Sequence, residues 1–251
     1  MRTPLVLLAA LLASLILAPV VVIARLFGAK ERPGSIYERC MHAWARTVIW
    51  SAGVKVRIHG AEHIPQGGGA VYISNHVSWF DVLTLAAILP RYTFVAKEEL
   101  RRIPIFGWGA AAAGLVFLDR DNRKAAFESY EKAAMEVQHG RSIVVCPEGT
   151  RGTDYHLRPF KKGPFVLAIA SQSPIVPTVV YGAREVMQKG SFRISGGRVD
   201  VHLLEPVSTA GYTYDQRAEL MTIVWNRMAT ALRDVYGVGT SERAVSDALS
   251  S

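Results

Sequence analysis

An uncharged opening run gives way to alternating helical and strand-like periodicities along this chain. Residues 3–24, TPLVLLAALLASLILAPVVVIA, contain no charge, and a helix of that length crosses roughly 30 Å of hydrocarbon. From Ile36 the apolar residues Tyr37, Cys40, Met41, Trp44, Ala45, Val48 and Ile49 recur at helical spacing. Glu38, Arg39, His42 and Arg46 occupy the opposite face. Short apolar or alternating stretches then predict strands at VKVRI and AVYIS, around a Pro-Gln-Gly-Gly-Gly turn, and at YTFVA, LVFLD, SIVVC, IVPTVVY and RVDVHLL. Helical patterns fall between them, at about Trp79–Leu89, through PIFGWGAAAAG, over Arg123–Gln138, at PFVLAIAS and at about Tyr214–Tyr236. In Arg123–Gln138 the apolar stripe is Phe127, Tyr130, Ala134 and Val137, and Gly140 can end the helix.

This alternation predicts an α/β fold: a mixed, mostly parallel sheet flanked by helices on both faces, behind an N-terminal membrane-associated helical segment. No repeat or internal linker interrupts it. The expected division is residues 1–52 as anchoring helices, 53–236 as one domain and 237–251 as a small, polar, disordered tail.

Composition narrows the picture. At 251 residues and half hydrophobic, the chain has ample core but not the apolar content of a polytopic membrane protein. A formal charge of +8 favours an anionic partner: nucleic acid, an acidic lipid surface or a phosphorylated substrate. Cys40 and Cys146 match no metal or redox spacing, which fits a reducing compartment. A cleaved signal peptide would need a small-x-small site after the opening run, which is also long for such a peptide; a buried core helix is the other alternative. Pro19 is expected to kink that helix or divide a re-entrant one. Arg2 precedes the run and Arg25, Lys30 and Arg32 follow it, so the positive-inside rule places the following domain in the cytoplasm. The helix from Ile36 either packs on that domain or lies at the lipid interface.

Four stretches carry candidate chemistry. SNHVSWFD follows an apolar strand and opens a helix, where α/β folds place ligand sites. Ser78 and Asp81 have capping-box spacing. If His76 lies in the loop and Asp81 in the first turn, the carboxylate can also fix the imidazole tautomer and raise its basicity. PEGTR follows SIVVC: Gly149 permits a tight turn, and the Arg151 guanidinium can grip a phosphate, or pair with Glu148 in a polar loop. Lys97 and Arg120 follow two further strands, so basic groups converge on one sheet edge. Arg120 can instead pair with Asp119 or Asp121. No G-x-S-x-G elbow, H-E-x-x-H helix, Walker loop or complete G-x-G-x-x-G occurs. GWGAAAAG packs closely against a neighbour or lines an apolar channel. Cys146 reads first as a strand cysteine and only second as a nucleophile. His63, His139, His156 and His202 lack metal-ligand spacing and read as surface residues.

Taken in order, these stretches resemble the glycerolipid acyltransferase superfamily, specifically the lysophosphatidic acid acyltransferases. Asn75-His76 to Asp81 matches N-H-x-x-x-x-D, and GLVFLDR, PEGTR and PIVPTVVYG match three further blocks. FVAKEEL, IPIFGW and FKKGPF also fit, so the resemblance covers about Val54 to Gly182. Cys146, where an aromatic is usual, and Gly152, where Ser is common, depart from the pattern at the wall of the site. The resemblance implies that residues 53–236 are a catalytic domain with His76 as general base, oriented by Asp81. His76 would deprotonate the free hydroxyl of lysophosphatidic acid for attack on acyl-CoA or an acyl carrier protein thioester, without an acyl-enzyme. It further implies Lys97, Arg120 and Arg151 as acceptor-phosphate residues, Glu148, Gly149 and Thr150 as shaping that pocket, and the segment around Val176 and Pro177 on the acyl side. It implies no cofactor beyond the thioester co-substrate, no metal and no nucleic acid; the partners are membrane lipids and the two substrates. The alternatives are acylation of glycerol-3-phosphate or a lyso-aminolipid, a Cys146 hydrolase or thioesterase, and a non-catalytic basic membrane- or nucleic-acid-binding module.

Overall fold

A computed structural model describes residues 2–239 apart from 31, 33 and 120–122, and of 123–127 the backbone alone. Arg120, the Phe127 side chain and residues 240–251 of the expected tail therefore lie outside the described residues. The elements run α1 (Thr3–Leu26), α2 (Ile36–Ala52), β1 (Val54–His59), β2 (Val71–Ser74), α3 (Trp79–Ile88), β3 (Tyr92–Lys97), α4 (Phe106–Ala112) and β4 (Val116–Leu118). They continue α5 (Arg123–Gln138), β5 (Ser142–Val145), α6 (Gly163–Ser171), β6 (Ile175–Tyr181), α7 (Ala183–Val186), β7 (Gly197–Leu203) and α8 (Arg217–Tyr236).

The strands form one seven-stranded sheet in the order β1-β7-β6-β2-β5-β3-β4. Every neighbouring pair is parallel except β6 and β7. The Gly-rich turn between β1 and β2 therefore joins no hairpin: β7 and β6 lie between the two strands. Alternation along the central strands sends side chains to opposite faces. Val71, Ile73, Ile143 and Val145 pack in one core with α5, α6 and α8. Tyr72, Val144, Val176 and Val180 pack in the other with α2 and α3. Both faces are thus covered, as parallel strands apolar on both sides require. Tyr72, Phe80 and Phe165 are almost fully buried, and burial of side chains of this kind stabilises by about 1.5–3 kcal/mol each.

α2 packs on the domain, with Ile36 and Trp50 left exposed. Tyr37, Cys40, Ala45, Val48 and Ile49 are buried. Its polar face serves the end of α3: the Arg46 guanidinium donates to the Ala87 carbonyl at 3.1 Å, and His42 Nε2 lies 2.8 Å from the Leu89 carbonyl. These contacts satisfy carbonyls that a helix C-terminus leaves without intrahelical partners.

α1 continues unbroken through Pro19 and buries only Val6, Ala13 and Val21. Leu5, Leu8, Leu12, Ile16 and Ile23 stand exposed along it. It is long and apolar enough to cross a membrane, yet it is fastened along its length. The Thr3 hydroxyl donates to the Phe192 carbonyl at 2.8 Å and accepts from the Ile194 amide at 3.0 Å. Trp44 Nε1 donates to Ser14 Oγ at 2.9 Å, and the Tyr37 hydroxyl to the Ala29 carbonyl at 3.0 Å. A helix of this length, roughly 36 Å, lies lengthwise on the domain, with one face on protein and the other bare.

Candidate active site

The site stands at the C-terminal edge of adjacent strands β2 and β5, with β3 next in line. Beyond Ser74 the chain leaves β2 through Asn75, whose side-chain amide donates to the Val180 carbonyl at 3.0 Å. Its carbonyl oxygen accepts from the Val180 amide at 2.8 Å. The side chain thereby substitutes for a backbone pair with β6. Ser78 begins α3: its hydroxyl accepts from the Phe80 amide at 3.2 Å and donates to the Met187 carbonyl at 2.7 Å. Asp81 completes the capping box.

Asp81 Oδ2 accepts from the Val77 and Ser78 amides, each at 2.7 Å, and lies 3.0 Å from His76 Nδ1. The carboxylate is fully buried, and its Oδ1 has no hydrogen-bond partner. An ionised carboxylate only accepts, so Nδ1 carries the imidazole proton and Nε2 presents its lone pair. Among the described residues Nε2 makes no hydrogen bond, and the His76 side chain is 16% exposed. The capping box and the His–Asp pair are one structure, as their spacing allowed.

The PEGTR turn packs directly on this loop. Glu148 Oε1 accepts from the His76 amide at 2.9 Å, and the Gly152 amide donates to the His76 carbonyl at 2.7 Å. Gly149 has φ +80°, a backbone conformation that favours glycine; a Cβ there would lie 2.9 Å from Lys161 Cε, the movable end of a flexible side chain. Glu148 does not pair with Arg151. Its second oxygen accepts from Arg158 Nε at 2.8 Å. Arg158 also bonds the Thr150 hydroxyl, at 3.0 Å, and the Thr150 carbonyl. Burial pushes the Glu148 carboxyl above its ordinary range, opposed by the Arg158 guanidinium and the His76 amide.

Arg151 lies with its guanidinium carbon 5.1 Å from the centroid of the Trp79 ring, one residue past the α3 cap. One of its terminal nitrogens is buried without a hydrogen-bond partner. A cation thus stands over the helix start that holds Asp81, with a donor unused. Lys97 is exposed at the end of β3, two strands and roughly 10 Å from β2 along the edge. The structure brings together His76, Asp81, Glu148, Gly149, Thr150 and Arg151; Lys97 shares their edge without touching them. Val176 and Pro177 pair with Tyr72 and Ile73 inside the sheet. They support the strand before His76.

An apolar space of about 140 Å³ is enclosed by α1, α2, α3, α4 and β3, with Leu17, Trp44, Leu83, Phe94, Phe106 and Gly109 in its wall. It reaches α3 at Val82 and Leu83, directly after Asp81, and the small residues of α4 line it as GWGAAAAG suggested. Sequence reading missed Asn75 as a clamp and Arg158 and Lys161 as partners of the PEGTR turn. Lys161 lay within FKKGPF, but which turn it would cover depends on how residues 152–160 fold back. Cys146 is half-buried just past β5. His202, expected at the surface, is half-buried against the Tyr236 hydroxyl at 2.7 Å.

The acyltransferase family model matches residues 55–181. The chain is 36% identical over 187 residues to a 1-acyl-sn-glycerol-3-phosphate acyltransferase of Limnanthes douglasii, covering 74% of this chain and 65% of the relative. The human 1-acyl-sn-glycerol-3-phosphate acyltransferase alpha is 34% identical over 185 residues, with 73% and 65% covered. The Saccharomyces cerevisiae 1-acyl-sn-glycerol-3-phosphate acyltransferase is 31% identical over 218 residues, with 85% and 71% covered. The chain therefore spans just under two thirds of the length of the first two relatives. The crystal structure of the 1-acyl-sn-glycerophosphate acyltransferase of Thermotoga maritima superposes with a TM-score of 0.75 over 96% of this chain and 100% of that one, at 24% identity. That likeness establishes the fold.

Proposed function

The chain belongs to the acyltransferase family, and on that footing we propose that it transfers an acyl group from a thioester to the free hydroxyl of lysophosphatidic acid, giving phosphatidic acid. The observation that carries this reading is the His76–Asp81 pair at 3.0 Å, with Nε2 open and an under-bonded Arg151 guanidinium over Trp79 at the start of α3. Nε2 takes the acceptor's hydroxyl proton as its oxygen attacks the thioester carbonyl. The tetrahedral adduct collapses, the carbon–sulfur bond breaks, and the thiolate takes the proton back from the imidazolium. No enzyme nucleophile is required. General-base assistance contributes about 10²–10⁴-fold, and holding two lipids in register supplies much of the rest.

Arg151 serves as the cation for the acceptor phosphate, with Lys97 and Arg120 assigned to the same edge by family resemblance. Glu148, Gly149 and Thr150 hold the turn that carries Arg151. The apolar cavity behind α3 suits the donor's acyl chain. The bare face of α1 fits a helix laid on or into a bilayer, with the catalytic domain on the cytoplasmic side.

A purified full-length chain offered lysophosphatidic acid, glycerol-3-phosphate and a lyso-aminolipid, each with acyl-CoA and acyl carrier protein donors, tests the reading. Phosphatidic acid is expected as the dominant product. Faster acylation of either other acceptor, or release of free fatty acid that Cys146→Ser abolishes, overturns it. Arg151→Ala is expected to raise the KM for lysophosphatidic acid by about 10–100-fold, the loss of one charge-assisted contact; an unchanged KM removes the phosphate role.

A further inference from the structure

The loop between α7 and β7, residues 187–196, ties the catalytic edge to the start of α1. β7 runs antiparallel to β6, so this loop lies at the sheet edge where β6 and β2 end and His76 stands. At its beginning the Met187 carbonyl accepts from the Ser78 hydroxyl at the cap of α3. Further on, the Phe192 carbonyl accepts from the Thr3 hydroxyl, and the Ile194 carbonyl from the Arg2 amide at 3.1 Å. Between these fixed points the Phe192 ring is 80% exposed, with Lys189 and Arg193 exposed on either side of it. The loop contains no acidic residue, and Glu185, just before it, accepts from the Tyr155 hydroxyl at 2.6 Å. Trp50, in the last turn of α2, is 79% exposed. That helix ends against the same loop, where the Gly197 amide donates to the Gly53 carbonyl at 3.3 Å.

We propose that this loop is a second membrane contact, which inserts Phe192 among the lipids of an anionic bilayer and sets Lys189 and Arg193 on their phosphates. The inference rests on the reading that α1 lies at a bilayer. Aromatic rings beside cations are the composition of an interfacial anchor. A ring projecting between two exposed cations suits a surface that yields around it, whereas a protein partner needs a pocket to receive it. The loop also continues the bare face of α1, since it is bonded to Arg2 and Thr3 immediately before Leu5 and Leu8. Its position assigns it a purpose. A helix laid on lipid by one face can still roll about its own axis, and a contact beside α3 stops that roll with the His76 edge turned to the bilayer that holds the acceptor.

The test is flotation of the full-length chain with phosphatidylcholine vesicles, with and without phosphatidylglycerol. It compares wild type, Phe192→Ser, Lys189→Gln/Arg193→Gln and, as a control, Met135→Ser at a 52% exposed position of α5. Phe192→Ser is expected to weaken binding to both vesicles by about tenfold. Lys189→Gln/Arg193→Gln is expected to weaken binding by about tenfold where phosphatidylglycerol is present and by less than about twofold where it is not. Met135→Ser is expected to bind as wild type does; an equal loss there assigns the effect to general surface hydrophobicity and overturns the loop contact. Wild type that floats beside loop variants of undiminished affinity refutes the loop and leaves the reading of α1 standing. Wild type that floats with neither vesicle refutes both. Unchanged flotation with a raised KM for an acyl carrier protein donor, but not for acyl-CoA, makes the loop a protein-docking surface and overturns the lipid assignment.

Discussion

Three histidine–aspartate pairs occur among the described residues, at 3.0, 3.1 and 3.2 Å. The His156–Asp154 pair is exposed on both sides, and the other two, both at strand ends, differ in what surrounds the carboxylate. His76 Nδ1 and Asp81 Oδ2 are 3.0 Å apart; His59 Nε2 and Asp200 Oδ1 are 3.1 Å apart. Asp81 is fully buried, fixed by two backbone amides, and leaves the far nitrogen of His76 open. Asp200 lies on the β1–β7 wing, where Arg198 also binds it at 2.8 Å. The His59 ring stacks on His202 at 4.3 Å, and His202 bonds Tyr236. Burial opposes ionisation of Asp200, but the bonds from His59 and Arg198 together hold its carboxyl below the ordinary range. In the wing an exposed imidazole and an exposed guanidinium share the carboxylate; at the edge of β2 the carboxylate is buried and held by two backbone amides beside a largely buried imidazole. Separation does not tell the two pairs apart, whereas the burial of the carboxylate and its anchoring by the Val77 and Ser78 amides do.

Paired substitutions probe that contrast. His76→Ala is expected to lower kcat for acyl transfer by about 10²–10⁴-fold with folding retained, and His59→Ala to change it by less than about twofold; equal losses would erase the distinction. Asp81→Asn should also cost on the order of 10²-fold or more, because an amide cannot enforce the tautomer, while Asp200→Asn leaves kcat intact. If Asp81→Asn lowers only the melting temperature, its role is capping alone. Arg158→Gln leaves the buried Glu148 unpaired and should destabilise the fold by roughly 1–3 kcal/mol, a figure discounted for the partial exposure of Arg158. Arg198→Gln, removing an exposed guanidinium, should be near neutral in the same denaturation assay. The smallest effect concerns pH. Burial, reinforced by His59, holds the His202 imidazole below its ordinary 6.5, so the unfolded chain binds that proton first. Stability present above about pH 6.5 is therefore lost as pH falls below it, and His202→Gln should flatten the dependence of Tm on mildly acidic pH.

The wing and the catalytic edge also differ in how far the sequence announced them. Strand β6 was readable from IVPTVVY and α5 from the stripe in Arg123–Gln138, because local periodicity sets them. The His–Asp pair was legible because its cap is local: six residues from His76 to Asp81 contain all of its geometry. Strand order was not, since a seven-residue pattern does not say that β7 reverses beside β6 or that β1 joins the sheet's far end. Arg158 stayed hidden for a related reason. It meets Glu148 only after the chain loops back, and no spacing rule links a charge in a loop to a strand end ten residues earlier. Arg120 lies outside the described residues and keeps only its assignment by resemblance.

Asn75 has a consequence in time as well as in space. Its side chain closes a two-bond ring with Val180, so the sheet's hydrogen-bonded ladder runs one rung beyond the last paired residue of β2. The Val180 amide should then exchange with deuterium only through opening of the sheet itself, not through fraying of the histidine loop. The start of the loop bearing His76 is thereby tied to the opening of the sheet rather than to local fraying.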